Sequence, residues 1–265
     1  MRGTFRAVAA GLTTLVAATT VGLATSGDAG ASDGPTVYIA SDSTAQTYNA
    51  SYAPQAGWGQ MLDRFFDDTV TVANHAIGGR SSRSFIEEGR LDTILNEIQP
   101  GDYLFVQFGH NDASWDKPER YTPPEDYQEF LRNDYIAGAR DRGAIPVIVT
   151  PVSRRDYDPA TGKFNVSFPE YVDKAVEVAA QEDVPLVDLS ASSRAYLDAI
   201  GPEAAKDVFL WTDPGEYPNR PDGTQDNTHF QEYGAIEMAR LVATDVASLD
   251  VPLAGHVEGI GAAVP

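Results

Sequence analysis

Four short polar segments carry the residue types that acyl transfer requires. The first is Ser41-Asp42-Ser43-Thr44, directly after an apolar run. A serine just past a buried strand can present its hydroxyl at a sheet edge, although these residues are also ordinary turn and cap material. The second is Ile77-Gly78-Gly79-Arg80-Ser81-Ser82. Glycine lets a backbone N–H approach a ligand closely, as an oxyanion donor must, although Gly-Gly also makes a plain tight turn. The third is Gly109-His110-Asn111-Asp112. The Asn111 amide can donate to a developing oxyanion, or Asn111 and Asp112 can cap a turn. The fourth is Asp226-Asn227-Thr228-His229. A nucleophilic serine needs a base, and the base needs an orienting carboxylate. A three-residue separation across a loop-to-helix turn sets Asp226 against one ring nitrogen of His229 and leaves the other free to face Ser43. In the plainer reading Asp226 is an N-cap and His229 is solvent-exposed.

Two rival chemistries use overlapping residues. Asp42, His110, Asp112, Asp226 and His229 are all plausible ligands for a metal-dependent phosphoesterase. That reading leaves Ser43 and Gly79 without a role. Tyr48, Tyr52, Trp58, Trp115, Tyr157 and Trp211 can instead line a sugar groove in a non-catalytic secreted carbohydrate-binding protein, with Trp58 the most core-like of them. His75 reads as a packed polar residue and His256 as exposed in a Gly/Ala-rich tail. The chain has no G-x-S-x-G, no P-loop, no H-E-x-x-H, and no G-x-G-x-x-G after its first strand.

The elements that must position these segments are legible as patterns. Strands are predicted at 36–40, 70–73, 103–108, 145–149 and 185–187. Helices are predicted at 57–66, 91–98, 127–142, 171–181, 193–199 and 231–247. Runs such as YLFVQF and IPVIV do not alternate apolar with polar, which suits strands covered on both faces. The alternation of strand and helix predicts a doubly wound α/β domain with a parallel sheet, whose ligands bind beyond the carboxyl ends of the strands. The Pro-, Gly- and Asp-rich stretch 211–227 reads as a long loop.

Composition narrows the partners. The 265 residues include 39 acidic and 19 basic ones, for a net charge of −20. A pI near 4.4 argues against nucleic acid and against adsorption to an anionic membrane. Without cysteine there is no disulfide, thiolate nucleophile or thiolate metal site. Arg2 and Arg6 precede an apolar Ala/Thr-rich run that ends at Ala29-Gly30-Ala31. This reads as a signal peptide over residues 1–31, followed by a single domain over 32–265 and an extracellular location, with a retained membrane anchor as the alternative, weakly hydrophobic for a span. Two positive charges and one negative charge leave with that segment, so −20 becomes −21.

Taken in order, SDST, GGRSSRS, FGHND and DNTH resemble the SGNH (GDSL-like) hydrolases, and GRSSRSF, QFGHND and DNTHF resemble the rhamnogalacturonan acetylesterases among them. The resemblance implies a three-layer α/β/α sandwich around a flavodoxin-like five-stranded parallel sheet. It implies Ser43 as nucleophile, His229 as base and Asp226 as its orienting carboxylate. It also implies an oxyanion hole made by the N–H groups of Ser43 and Gly79 and the Asn111 amide. Gly79 is preferred to Gly78 because it immediately precedes Arg80-Ser81. Asp42, Arg80 and His110 are expected near the substrate. No cofactor or metal is implied. The expected enzyme is a monomeric esterase that removes acetyl groups from cell-wall polysaccharide, pectic rhamnogalacturonan first and xylan second. Ser41 stands where the family motif has glycine, and a side chain there is expected to crowd the strand end or alter the pocket lip. Arg80, Arg83, Arg154, Arg155 and Arg220 are candidates for contacting uronate carboxylates, with at least three expected to make structural ion pairs.

Overall fold

The apolar runs that do not alternate with polar residues become the central sheet. The computed structural model describes residues 34–261, together with Met1 and Gly3. Apart from Met1 and Gly3, the expected signal segment lies outside the described residues. In chain order the elements are β1 (Thr36–Ser41), β2 (Gln55–Ala56), α1 (Trp58–Met61), β3 (Thr71–Asn74), α2 (Ser82–Glu87), α3 (Arg90–Glu97), β4 (Tyr103–Gln107), α4 (Pro124–Phe130) and α5 (Ala137–Arg140). They continue with β5 (Ile145–Val149), β6 (Tyr157–Asp158), β7 (Lys163–Phe164), α6 (Pro169–Glu182), β8 (Leu186–Val187), α7 (Leu189–Val208), β9 (Phe209–Thr212), β10 (Thr224–Gln231) and α8 (Glu232–Ala247).

The main sheet has the order β3-β1-β4-β5-β8, and every pairing is parallel. Renumbered within the sheet this is 2-1-3-4-5, the flavodoxin-like order. Successive strand residues face opposite sides. Val37, Ile39, Phe105 and Val147 pack on one side with Trp58, Leu62, Met238 and Val242. Tyr38, Ala40, Leu104 and Ile148 pack on the other with Phe85, Ile94, Tyr135 and Val178. Both faces are therefore apolar, which is the reason these strands carry no alternation. The result is the expected α/β/α sandwich.

Several elements depart from expectation. The predicted helix 57–66 is one α turn that tightens into a 3-10 turn at Leu62–Phe65. The predicted helix 127–142 is a longer helical run with a π segment, Leu131–Ile136, between α4 and α5. The helix at 193–199 belongs to α7, which runs on to Val208 and is kinked at Gly201 (φ 81°) ahead of Pro202. The predicted loop 211–227 is a loop only at its tip. Its ends form the antiparallel pair β9–β10, and β10 also pairs with β2 in a second, three-stranded sheet. The sequence of β10, TQDNTHFQ, has one buried residue, Phe230, so its strand character comes from pairing and not from an apolar pattern. α2 is also new. It begins at a capping box in which Ser81 and Ser84 bond each other's backbone, a polar signal without apolar periodicity.

Candidate active site

β1 ends at Ser41, and the chain turns sharply through Asp42-Ser43-Thr44. Asp42 is fully buried and its Oδ1 accepts from the Thr44 N–H (2.9 Å) and hydroxyl (2.8 Å). Thr44 Oγ1 in turn accepts from Gln107 Nε2 (3.0 Å), and Gln107 Oε1 accepts from Trp58 Nε1 (2.6 Å). A chain of buried polar contacts thus holds the turn from beneath. Tyr48 donates its hydroxyl to the Ser43 carbonyl (2.9 Å). Ser41 is also fully buried, with its hydroxyl unpartnered among the described residues. Its side chain sits below the cleft and does not form its lip.

Ser43 faces His229 across the cleft. The Ser43 hydroxyl lies 2.9 Å from His229 Nε2, and His229 Nδ1 lies 2.6 Å from Asp226 Oδ2. The other Asp226 oxygen accepts the backbone N–H groups of Thr228 (2.7 Å) and His229 (3.0 Å). Burial works to raise the Asp226 carboxyl, but the His229 hydrogen bond and charge and these backbone donors outweigh it and hold it at about 2. A carboxylate can only accept, so the proton sits on His229 Nδ1 and leaves Nε2 free to accept from the serine. Asp226 and His229 lie on β10, across a register shift in its pairing with β9, and not on a loop-to-helix turn as expected. Asn227 anchors that irregular stretch, accepting from Trp211 Nε1 (2.9 Å) through its side chain and from the Arg155 N–H (2.9 Å) through its carbonyl.

The donors expected for an oxyanion sit on the Ser43 side. Gly78 N–H is taken by Gln46 Oε1 (2.5 Å). Gly79, at φ 82°, has a backbone N–H with no partner among the described residues, as has the N–H of Ser43. Asn111 Nδ2 donates one hydrogen to the Arg80 carbonyl (2.9 Å), which leaves its second for the cleft. Asp112 ties these two blocks together, accepting from Ser82 N–H (3.0 Å), Ser82 Oγ (2.5 Å) and Gly109 N–H (3.0 Å). Burial raises its carboxyl to about 6 against those same bonds.

The remaining candidates divide. His110 lines the cleft but is buried, its ring edge on Phe168 and its Nδ1 3.7 Å from Asp42 Oδ2. Burial lowers its basicity, with the Arg154 and His229 charges acting in the same sense against Asp42. Asp42 is fully buried and is not among the residues that line the cleft. Arg80 is held by Glu88 (3.0 Å) and the Gly78 carbonyl, and Arg83 by Glu87 (3.0 Å). Arg155 bonds the Pro202 carbonyl and covers Trp211, and Arg220 bonds Gln55. Four of the five arginines are therefore structurally engaged, two of them by ion pairs. Trp58 is core, whereas Trp115 is 79% exposed. His256 is not free, because it bonds Asp67 (3.0 Å). Among the described residues no three His, Asp or Glu side chains gather as a metal site, and no helix is long and apolar enough to cross a membrane.

The serine, its base and the free donors all lie at the carboxyl edge of the main sheet. Residues 42–235 match the model of the GDSL-like lipase/acylhydrolase family, a span that contains all four polar segments. The chain belongs to this family. It is a serine hydrolase acting on carboxylic ester bonds. This GDSL-like chain is 45% identical over 221 residues to the rhamnogalacturonan acetylesterase RhgT of Bacillus subtilis (strain 168), covering 83% of this chain and 93% of that protein. It is 46% identical over 218 residues to the probable rhamnogalacturonan acetylesterase YesY of the same strain, covering 82% and 94%. Among solved structures it is similar to YxiM of Bacillus subtilis, with a TM-score of 0.72 and 31% identity, covering 83% of this chain and 58% of that one.

Proposed function

We propose that this GDSL-like hydrolase is a secreted carbohydrate acetylesterase that removes O-acetyl groups from pectic rhamnogalacturonan through an acyl-enzyme on Ser43. The observation that carries the reading is the unbroken hydrogen-bond relay from Ser43 through His229 to Asp226, facing the Ser43 and Gly79 N–H groups, which have no partner among the described residues. The similarity to two proteins named as rhamnogalacturonan acetylesterases supports the substrate, and the pattern of the first 31 residues supports export.

In the first half-reaction His229 Nε2 takes the Ser43 proton as Oγ attacks the acetyl carbonyl carbon. The carbonyl oxygen becomes an oxyanion, met by the N–H groups of Ser43 and Gly79 and by Asn111 Nδ2. As the tetrahedral species collapses, the carbonyl carbon–sugar oxygen bond breaks and His229 returns its proton to the leaving oxygen. Water then attacks the acetyl-serine with His229 again as base, releasing acetate and restoring the hydroxyl. Asp226 stays ionised throughout and steadies the imidazolium.

Two measurements test this. Ser43→Ala is expected to abolish hydrolysis of an aryl acetate while the circular dichroism and melting of the protein stay as they were. Full activity in that variant overturns the nucleophile. Acetate release from acetylated pectin, acetylated xylan and the aryl ester, compared side by side, tests the substrate. Pectin is expected to lead, and equal rates on all three would make the enzyme a general carboxylesterase.

A further inference from the structure

The cleft above Ser43 has a volume of about 530 Å³ and is lined by Lys117, Arg120 and Arg154 without a single aspartate or glutamate. That is unexpected in a chain of 39 acidic and 19 basic residues. Several other arginines are neutralised locally, as Arg80 is by Glu88, Arg132 by Glu129 and Glu182, and Arg240 by Glu237, while Arg142, Arg155 and Arg220 donate to uncharged oxygens. Lys117, Arg120 and Arg154 form no ion pair among the described residues. The Nε atoms of Arg120 and Arg154 are moreover buried with no hydrogen-bond partner among them. A buried N–H without an acceptor costs stability unless something that binds there supplies one.

The two arginines reach the cleft from different loops. Arg120 comes from the loop after β4 and reaches Gly79, where an added Cβ would lie 3.7 Å from its Nη1. Arg154 follows β5, with its backbone N–H fixed to Ser167 Oγ (2.9 Å), and its charge is felt by His110. Arg154 and Phe168 also line an adjoining cavity of about 340 Å³, which holds Arg155 and Asp156 as well. A cleft lined by three cations and by no carboxylate among the described residues focuses positive potential on its interior. The planar guanidinium fork fits a carboxylate with two parallel hydrogen bonds.

We propose that Lys117, Arg120 and Arg154 form a carboxylate subsite that binds the acid group of a uronic acid unit and so presents the acetylated sugar to Ser43 within an acidic glycan. This rests on the acetylesterase reading of the Ser43 site. It names what distinguishes the preferred substrate, a carboxylate beside the ester.

The test compares acetylated rhamnogalacturonan oligosaccharides with the same oligosaccharides after reduction of their carboxyl groups to alcohols. For the wild-type protein kcat/KM is expected to be at least roughly tenfold higher on the acidic form, since a hydrogen bond to a charged group carries about one such factor or more. The advantage should lie in KM. In Arg120→Gln and Arg154→Gln that ratio should fall towards one, and Arg154→Lys should recover part of it. Acetate release from both forms at equal kcat/KM in the wild-type protein overturns the subsite while leaving the acetylesterase intact. A loss of kcat by the same factor on both forms in Arg120→Gln also overturns it, because the arginine would then be serving the oxyanion. Release of acetate from neither form, with the aryl acetate still hydrolysed, overturns the acetylesterase reading itself.

Discussion

Burial alone would raise the Asp226 carboxyl, yet His229 and two backbone N–H groups hold it at about 2. Its ionised state is thus made by its neighbours, and so is the tautomer of His229. Asp226→Asn keeps the shape and removes the charge, so the imidazole loses the acceptor that fixes its proton on Nδ1. Turnover of an aryl acetate is expected to fall roughly 10⁴-fold, as in other triads of this kind. The stability consequence has a definite sign. A carboxyl with a folded pKa below its unfolded one contributes stability that is present above pH ~4 and lost as pH falls through about 2. The stability difference between wild type and Asp226→Asn, from urea unfolding, should therefore be flat above pH ~4 and shrink toward pH ~2. A difference that grows on acidification would contradict the assignment. At this scale the sequence was readable where residue type and order both mattered, as at Ser43, Asn111, Asp226 and His229. It was silent on Lys117 and Arg120, because a basic residue in a loop carries no sign of whether an acid meets it in space.

Strand by strand, the main sheet was readable because burial on both faces writes long apolar runs into β1, β4 and β5. The β9–β10 hairpin was not, since seven of the eight residues of β10 are not buried and one of its two partner strands, β2, is distant in sequence. The predicted helix 193–199 covers only the middle of α7, whose helical pattern is interrupted at Gly201-Pro202. The hairpin and α8 must nevertheless be held as firmly as the sheet, because they set where His229 stands. One close approach joins α8 to the end of α7. An ideal Cβ at Gly234, in the first turn of α8, would come within 1.9 Å of the Val208 carbonyl at the end of α7. Gly234→Ala must push these helices apart, and we expect about 3 kcal/mol of destabilisation by urea unfolding, at the upper end for overpacking against a rigid neighbour. Its residual activity should fall more than that of an alanine substitution at exposed Gly255, where an added Cβ meets nothing within 4 Å.

For the whole chain the net charge of −20 is a source of self-repulsion that its surface ion pairs relieve only locally. Added sodium chloride screens that repulsion, so the melting temperature should rise with salt over the range where the Debye length shortens from about 30 Å to about 8 Å. The same salt should raise KM for acidic oligosaccharides, whose attraction to the cationic cleft it screens. Opposite responses of stability and binding to one variable would separate the charge of the molecule from that of its site. The division of the site between two sheets matters in one more way. Ser43 and His229 are 186 positions apart. A ribosome making this chain finishes the nucleophile early and the base late. Until β10 has been synthesised and has paired with β2 and β9, the Ser43 hydroxyl has no proton acceptor and is no more reactive than any other serine alcohol. The pairing of nucleophile and base is thus complete only once β10, the last described strand, has formed.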